Sequence, residues 1–375
     1  MIPYGRQFID SDDIDAVIEV LRSDWLTTGP KVPEFESAIA QYVNAKFAVA
    51  VCNGTAGLHA AMFALGIRPG DEVILPPMTF ASTANCIVFQ GGTPVFSDID
   101  PERLLIDPAL IEEKITPRTK AIIAVDYAGQ PCDYDALRNI AEKHGIHLIA
   151  DACHALGAKY KNQMVGSLAD MTVFSFHPVK HITTGEGGMV VTDNEEFDAR
   201  LRLFRNHGIA TDYKQREEQQ TWFYEMLELG YNYRITDFQC ALGLSQLKKL
   251  PSSLKSRRRI ASYYDKAFAS VSSIEPLSVQ KHVLHAYHLY VIKLNLQDHG
   301  FNRNDLFQRL RNKGIGANVH YIPVHLHPYY RKHFNTHSRL CPIAEKVYDQ
   351  ILSIPIYPGM EDEDIEKVIN AIIEK

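Results

Sequence analysis

The 375-residue sequence has no C-x-x-C pair, no long basic run and no apolar stretch free of polar breaks. Its six cysteines (Cys52, Cys86, Cys132, Cys153, Cys240 and Cys341) are scattered, mostly inside apolar runs. They read as buried thiols of a reducing compartment. Lysine and arginine number 39 against 45 aspartates and glutamates, a net charge of −6, so nucleic acid is not an expected partner. The one dense basic patch, Lys255-Ser256-Arg257-Arg258-Arg259, reads as the solvated face of a surface helix. The longest charge-free stretch, 73–97, contains Pro76, Pro77, Asn85, Gln90, Gly91 and Gly92, which excludes a continuous membrane-spanning helix. Arg6, Asp10, Asp12, Asp13 and Asp15 crowd the first twenty residues without an apolar core. No signal peptide is expected, and the expected location is the cytoplasm.

What is present is an ordinary globular composition, 46% hydrophobic and 22% charged, which sets aside disorder and coiled coil. At roughly 150 residues per domain, the length suits about two units. Ile14, Val17, Ile18 and Leu21 recur at the spacing of one buried helix face. Short apolar runs then alternate with amphipathic ones. Strands are expected over 48–52, 72–75, 93–96, 121–125, 147–150, 171–176 and 188–192, and helices over 57–65, 82–89, 109–114, 134–144 and 195–205. This rhythm predicts an α/β fold with a mostly parallel central sheet. After about residue 250 a long polar helix leads to a strand at 287–294, a helix at 304–313, a short run at 317–321 and a helix at 362–372. The expected division is a large unit, 1–250, and a small C-terminal α/β unit, 251–375.

Three segments carry chemistry. Asn53-Gly54-Thr55-Ala56-Gly57 opens a helix directly after a strand, where free N–H groups and the helix dipole suit a phosphate. The plainer alternative is an N-cap by Asn53 or Thr55. No Gly-Lys-Ser/Thr follows, and no G-x-G-x-x-G is present, so neither a nucleoside-triphosphate loop nor a dinucleotide fingerprint applies. Asp151 ends a buried strand, at the sheet edge where ligands bind in open α/β folds; a helix cap is the alternative. Lys180 lies between a strand and the glycine-rich turn Gly185-Glu186-Gly187-Gly188. Desolvation favours a free amine there and hence Schiff-base chemistry, against a structural lysine paired with an acid. Phosphate anchor, acid and lysine together are what pyridoxal phosphate requires: a helix end for the phosphate, a carboxylate for the pyridine nitrogen and an amine for the aldehyde. Phe80, just past a strand end, offers a ring to stack on the cofactor.

The order and wording of Asn53-Gly54-Thr55-Ala56, Asp151-Ala152-Cys153-His154-Ala155-Leu156-Gly157, the Lys180 segment and Gly230-Tyr231-Asn232-Tyr233-Arg234 resemble the DegT/StrS-type sugar-nucleotide aminotransferases. Those are pyridoxal-phosphate enzymes of the aspartate-aminotransferase fold (fold type I). Segments 175–180 and 318–325 look most like the branch acting in pseudaminic acid biosynthesis. That branch aminates C4 of a UDP-linked 4-keto-6-deoxy-N-acetyl-hexosamine with L-glutamate as donor, giving UDP-4-amino-4,6-dideoxy-N-acetyl-β-L-altrosamine. The resemblance implies that Gly54, Thr55, Ala56 and Ser175 hold the phosphate. Asp151 would face the ring nitrogen, His154 the phenolic oxygen, and Lys180 would bind the cofactor covalently. It further implies a homodimer in which Asn232 reaches the neighbouring site. Tyr4, Asp24, Trp25, Leu26 and Thr27, with Asn318, Val319, His320 and Tyr321, would contact the substrate.

Other readings are weaker. Tyr42 and Lys46 match a Y-x-x-x-K spacing, but no glycine-rich fingerprint precedes them. The histidines at 282–288 and 320–337 lack a carboxylate or cysteine at ligand spacing, so no metal is expected. All of them except His320 read as packing or surface residues. Three alternatives stay open: a relative aminating C3 or making perosamine or 4-amino-arabinose, a dehydratase (which Lys180 speaks against), and a non-catalytic binding protein keeping the fold.

Overall fold

A computed structural model describes residues 1–211, 213–295 and 302–374. The sheet strands are β1 (Phe47–Val51), β2 (Glu72–Leu75), β3 (Thr93–Phe96), β4 (Thr119–Val125) and β5 (His147–Asp151). After a small hairpin, β6 (Lys159–Tyr160) and β7 (Gln163–Met164), come β8 (Met171–Ser175) and β9 (Gly188–Thr192). Seven strands form one sheet in the order β1-β9-β8-β5-β4-β2-β3. β9 alone runs against the other six. Because β8 and β9 pair antiparallel, the loop joining them starts and ends at the same sheet edge. That edge is the C-terminal end of the parallel strands, and the loop carries Lys180.

Residues of β4 and β5 such as Ile122, Ile123, Leu148 and Ile149 have no solvent exposure. Burying a side chain of that size contributes roughly 1.5–3 kcal/mol. These strands therefore read as unbroken apolar runs, as strands covered on both faces do. The helices α1 (Ser11–Leu21), α2 (Lys31–Val43), α3 (Gly54–Leu65), α4 (Ala81–Phe89), α5 (Tyr134–His144) and α6 (Glu195–Arg205) follow, with the short α7 (Tyr213–Glu218) before the 32-residue α8 (Asp237–Phe268). α8 runs from the large core into a second, smaller one. The smaller core gathers Ile260, Tyr264, Ile292, Leu306, Leu352 and Ile365, and also Ile2 from the N-terminus. The larger core extends to Val324, Tyr330 and Val347.

The structure corrects several local expectations. Residues 109–114 form two 3₁₀ turns, Pro108–Leu110 and Glu112–Lys114, not a helix. Residues 317–321 form no strand; Asn318 makes a single antiparallel bridge to Ser353. The partner strand Ile351–Ile354, which pairs with Tyr290–Leu294, was not anticipated. The basic patch is a solvated face only in part: Lys255 and Arg259 are exposed, but Arg257 is not. Arg257 is 1% exposed, and its guanidinium donates to the carbonyls of Tyr287, His288 and Ile356 at 3.1, 3.3 and 3.0 Å. Arg258 donates to His285 O at 3.1 Å. Only the main-chain acceptors of a distant loop make that burial tolerable, and spacing along the helix does not show them.

Candidate active site

A cleft of about 550 Å³ opens at the C-terminal ends of β4, β5 and β8. Gly54, Thr55, Phe80, Asp151, His154, Ser175 and Lys180 line it. So do Tyr4, Asn318, Val319, His320 and Tyr321. Twelve of the eighteen residues singled out from the sequence thus face one cavity.

Its floor is built by short, defined devices. Asn53 caps α3: its side chain accepts from Ala56 N at 2.8 Å and its carbonyl from Gly57 N at 3.1 Å. The cap and the anion site therefore coexist, because the cap uses those two amides and leaves the first two of the helix, Gly54 and Thr55, facing the cleft. Ala56 is buried behind them. A side chain at position 54 would place its Cβ 3.1 Å from the Ser175 Cβ and 3.2 Å from the Cys153 Sγ. A side chain there would crowd Ser175 and Cys153, so glycine keeps the backbone hollow between α3 and the end of β8 open. With the Thr55 and Ser175 hydroxyls beside it, the donor set fits a phosphate.

Asp151 is 6% exposed. One carboxylate oxygen accepts from the Thr83 hydroxyl at 2.6 Å and the other from Cys153 N at 3.3 Å. The Thr83 hydroxyl in turn lies 2.7 Å from that of Thr79. This chain orients the acid into the cleft; no motif flags Thr79, just before α4, or Thr83, in its first turn. Lys180 is fixed by its own N–H to His177 O at 2.9 Å, and its loop closes through Phe176 N to Gly187 O at 2.8 Å. Burial pushes the Lys180 amine below the usual lysine range, with the Arg257 charge acting in the same direction and Cys153 and Asp151 opposing. A neutral amine is what a Schiff-base lysine needs.

The walls are aromatic and imidazole-rich. His154 Nε2 lies 3.0 Å from the Tyr321 hydroxyl. Tyr321 lies 6.0 Å from Phe80, ring to ring, and His320 5.6 Å from Tyr4. His320 Nδ1 is held by Ser353 Oγ at 2.8 Å. Burial, aided by the Lys180 charge, keeps His154 well below the usual imidazole range and lowers His320 to about 4. Phe80 is 61% exposed, an open ring over the cleft. His288 was expected to be a packing residue; it is buried in the cleft wall, its Nε2 3.4 Å from Lys180 Nζ. Its sequence neighbours give no sign of this.

The remaining residues lie elsewhere. Asp24, Trp25, Leu26 and Thr27 are exposed. They run along the start of α8, where Asp237 N donates to Leu26 O at 3.0 Å and Thr27 bridges Thr236. Asn232 is exposed four residues before Thr236 and outside this chain's cleft.

The comparisons with known proteins agree with this geometry. The model of the DegT/DnrJ/EryC1/StrS aminotransferase family matches residues 7–373. The spore coat polysaccharide biosynthesis protein SpsC of Bacillus subtilis is 43% identical over 373 residues, 99% of this chain and 96% of that protein. Helicobacter pylori PseC, an aminotransferase of pseudaminic acid biosynthesis, superposes with a TM-score of 0.92 at 33% identity, covering 100% of this chain and 98% of PseC. A sugar aminotransferase of Streptococcus pneumoniae, Spr1654 in its PMP form, gives 0.93 at 34% identity, covering 99% and 98%. The chain belongs to the DegT/DnrJ/EryC1/StrS aminotransferase family and is a pyridoxal-phosphate-dependent sugar aminotransferase.

Proposed function

We propose that this enzyme moves an amino group from L-glutamate to C4 of a UDP-linked 4-keto-6-deoxy-N-acetyl-hexosamine. The product would be UDP-4-amino-4,6-dideoxy-N-acetyl-β-L-altrosamine, made in the cytoplasm for pseudaminic acid biosynthesis. One observation carries the reading. The polar run Asn318-Val319-His320-Tyr321 lines the same cleft as Lys180 and Asp151, beside the exposed ring of Phe80. An open cleft with amide, imidazole and phenol walls suits a nucleotide-linked sugar better than a tight carboxylate pocket. The likeness to PseC points the same way.

In this reading residues 1–250 form the cofactor-binding unit and 251–375 the smaller one. When bound, pyridoxal phosphate supplies an electron sink for carbon acids. Thr55, Ser175 and the amides of Gly54 and Thr55 would hold its phosphate, Asp151 would keep the proton on its ring nitrogen, and His154 and Phe80 would contact its ring. Lys180 would hold it, and its freed amine would serve as the general base and acid. Its Nζ removes the Cα proton of glutamate in the first half-reaction and delivers a proton to the sugar carbon in the second. Tyr4 and residues 318–321 bind the sugar from this chain.

The chain works as a homodimer, with Asn232 reaching the partner's phosphate site and Asp24–Thr27 contacting substrate there. Support comes from the exposed apolar run around Asn232. Trp222, Met226, Leu227 and Leu229 are 86%, 64%, 63% and 73% exposed, large apolar side chains close in sequence of the kind a protein partner covers.

The test is a single turnover of enzyme pre-charged with L-glutamate against a panel of UDP-keto-sugars, with the product read by NMR. Amination at C4 of the 4-keto-6-deoxy-N-acetyl sugar is expected. Amination at C3, or preference for an arabinose-type substrate, would replace the substrate assignment and leave the cofactor chemistry in place.

A further inference from the structure

The segment 285–289 has no counterpart among the sequence motifs, yet several parts of the fold converge to hold it. Ala286 N donates to Gly129 O at 2.9 Å and Leu289 N to Ala128 O at 3.2 Å. His181, the neighbour of Lys180, donates from Nε2 to Ala286 O at 3.1 Å. The buried Arg257 guanidinium caps the carbonyls of Tyr287 and His288, and no carboxylate pairs with it among the described residues. Tyr287 adopts φ +50°, a left-handed conformation that costs a non-glycine residue roughly 1–2 kcal/mol. Gly129 makes the approach possible. At φ +99° a Cβ there would lie 2.7 Å from His154 O and 3.0 Å from Tyr287 N.

What this strap delivers is His288, 5% exposed, with its ring 4.3 Å from that of His154 and 5.8 Å from that of His181. Its Nδ1 is buried without a partner among the described residues, so no carboxylate behind it raises its basicity. Around the Lys180 amine stand Asp151, Cys153 and His154 from the end of β5, and His181 from its own loop. Arg257 faces it from α8, His288 from the strap and His320 from the 318–321 run. The buried imidazoles are kept neutral by desolvation and by the neighbouring cations. An ammonium can only donate hydrogen bonds. Among the described residues, the one side-chain atom recorded within hydrogen-bond distance of Nζ is His288 Nε2, at 3.4 Å.

We propose that His288 is a positioning residue for Lys180, its Nε2 accepting a hydrogen bond from Nζ while the lysine carries a proton. A carboxylate in that place would form an ion pair and retain the proton. A neutral imidazole steadies the ammonium without taking its charge, so the proton remains available for delivery. His288 itself neither gains nor loses a proton. This rests on Lys180 being the lysine that binds the cofactor.

The test uses enzyme pre-charged with L-glutamate, in which the Lys180 amine is free. The pH dependence of its acetylation by acetic anhydride is read by mass spectrometry. His288→Phe keeps a ring in the wall and excludes water but removes the acceptor. The labelling midpoint of Lys180 should move down by about one pH unit, and proton transfer from α-deuterated glutamate should slow by about tenfold. His288→Gln, which keeps an acceptor, should restore most of both. A midpoint that stays or rises toward ordinary lysine in His288→Phe, or no recovery in His288→Gln, overturns the proposal. The unmutated enzyme gives an independent readout: ¹⁵N NMR should show His288 neutral at the pH where an ordinary imidazole is half protonated, and substantial protonation there overturns the assignment. Borohydride mapping separates the two readings. A cofactor adduct on another lysine sinks the premise, whereas an adduct on Lys180 with an unmoved midpoint sinks only the role of His288.

Discussion

The floor of the cleft and its rim differ in how complete one chain makes them. On the floor, Gly54 and Thr55 open one helix, Asp151 and Ser175 end two strands, and Lys180 sits in the loop that follows the second of them. The rim is divided. Tyr4 and Asn318–Tyr321 face the cleft, while Asp24–Thr27 lie beside the start of α8 and Asn232 bridges Asn206, outside it. The acid, the lysine and the helix end that suits the phosphate are therefore set within one chain, whereas in the proposed homodimer a second copy would add Asn232 to the phosphate and Asp24–Thr27 to the substrate.

If so, damage to the floor should abolish chemistry, and damage to the rim should alter only one step or one affinity. Lys180→Ala should lower transamination by about 10³-fold or more, the size of a lost general acid–base. Wild-type-like turnover would break the comparison at once. Asn232→Ala should weaken cofactor retention by on the order of 1–3 kcal/mol without unfolding the chain, measured by cofactor release on dilution. A variant that loses cofactor only together with its fold would deny Asn232 a contact role. His320→Ala should slow the sugar half-reaction by about tenfold and spare the glutamate half-reaction. Equal loss in both would move His320 from rim to floor.

A last expectation concerns pH and the whole molecule. Burial lowers His59 and His320 to about 4 and His285 to about 3. Their folded values lie below the unfolded value of about 6.5. The stability they contribute is present above that pH and is lost as pH falls toward their folded values, at about 1.4 kcal/mol per pH unit for each. Asp126, raised to about 7 by burial, acts oppositely: its contribution is present at acid pH and is lost as pH rises through about 7. The thermal midpoint should therefore fall from pH 6.5 to 4.5, and more steeply in Asp126→Asn. A midpoint flat over that range would show that these imidazoles are solvated.

The floor was legible in the sequence because each part has a local signature. Asn53 sits where a strand gives way to a helix, Asp151 ends an apolar run, and Lys180 precedes a glycine-rich turn. The parallel sheet was legible for the same reason, since its strands are short apolar runs between helices. What escaped depends on contacts between distant segments. Thr83 orients Asp151 across 68 positions and His288 reaches Lys180 across 108. Arg257 reads as a surface cation until the strap that accepts its hydrogen bonds is in place. The 317–321 run, strand-like in composition, instead follows the cleft because Asn318 alone bridges to Ser353.

The most direct test of the account is to reduce the holoenzyme with borohydride and map the modified peptide by mass spectrometry. A single cofactor adduct is expected, on Lys180, within 176–187. An adduct on any other lysine, or none while the enzyme turns over, would contradict it.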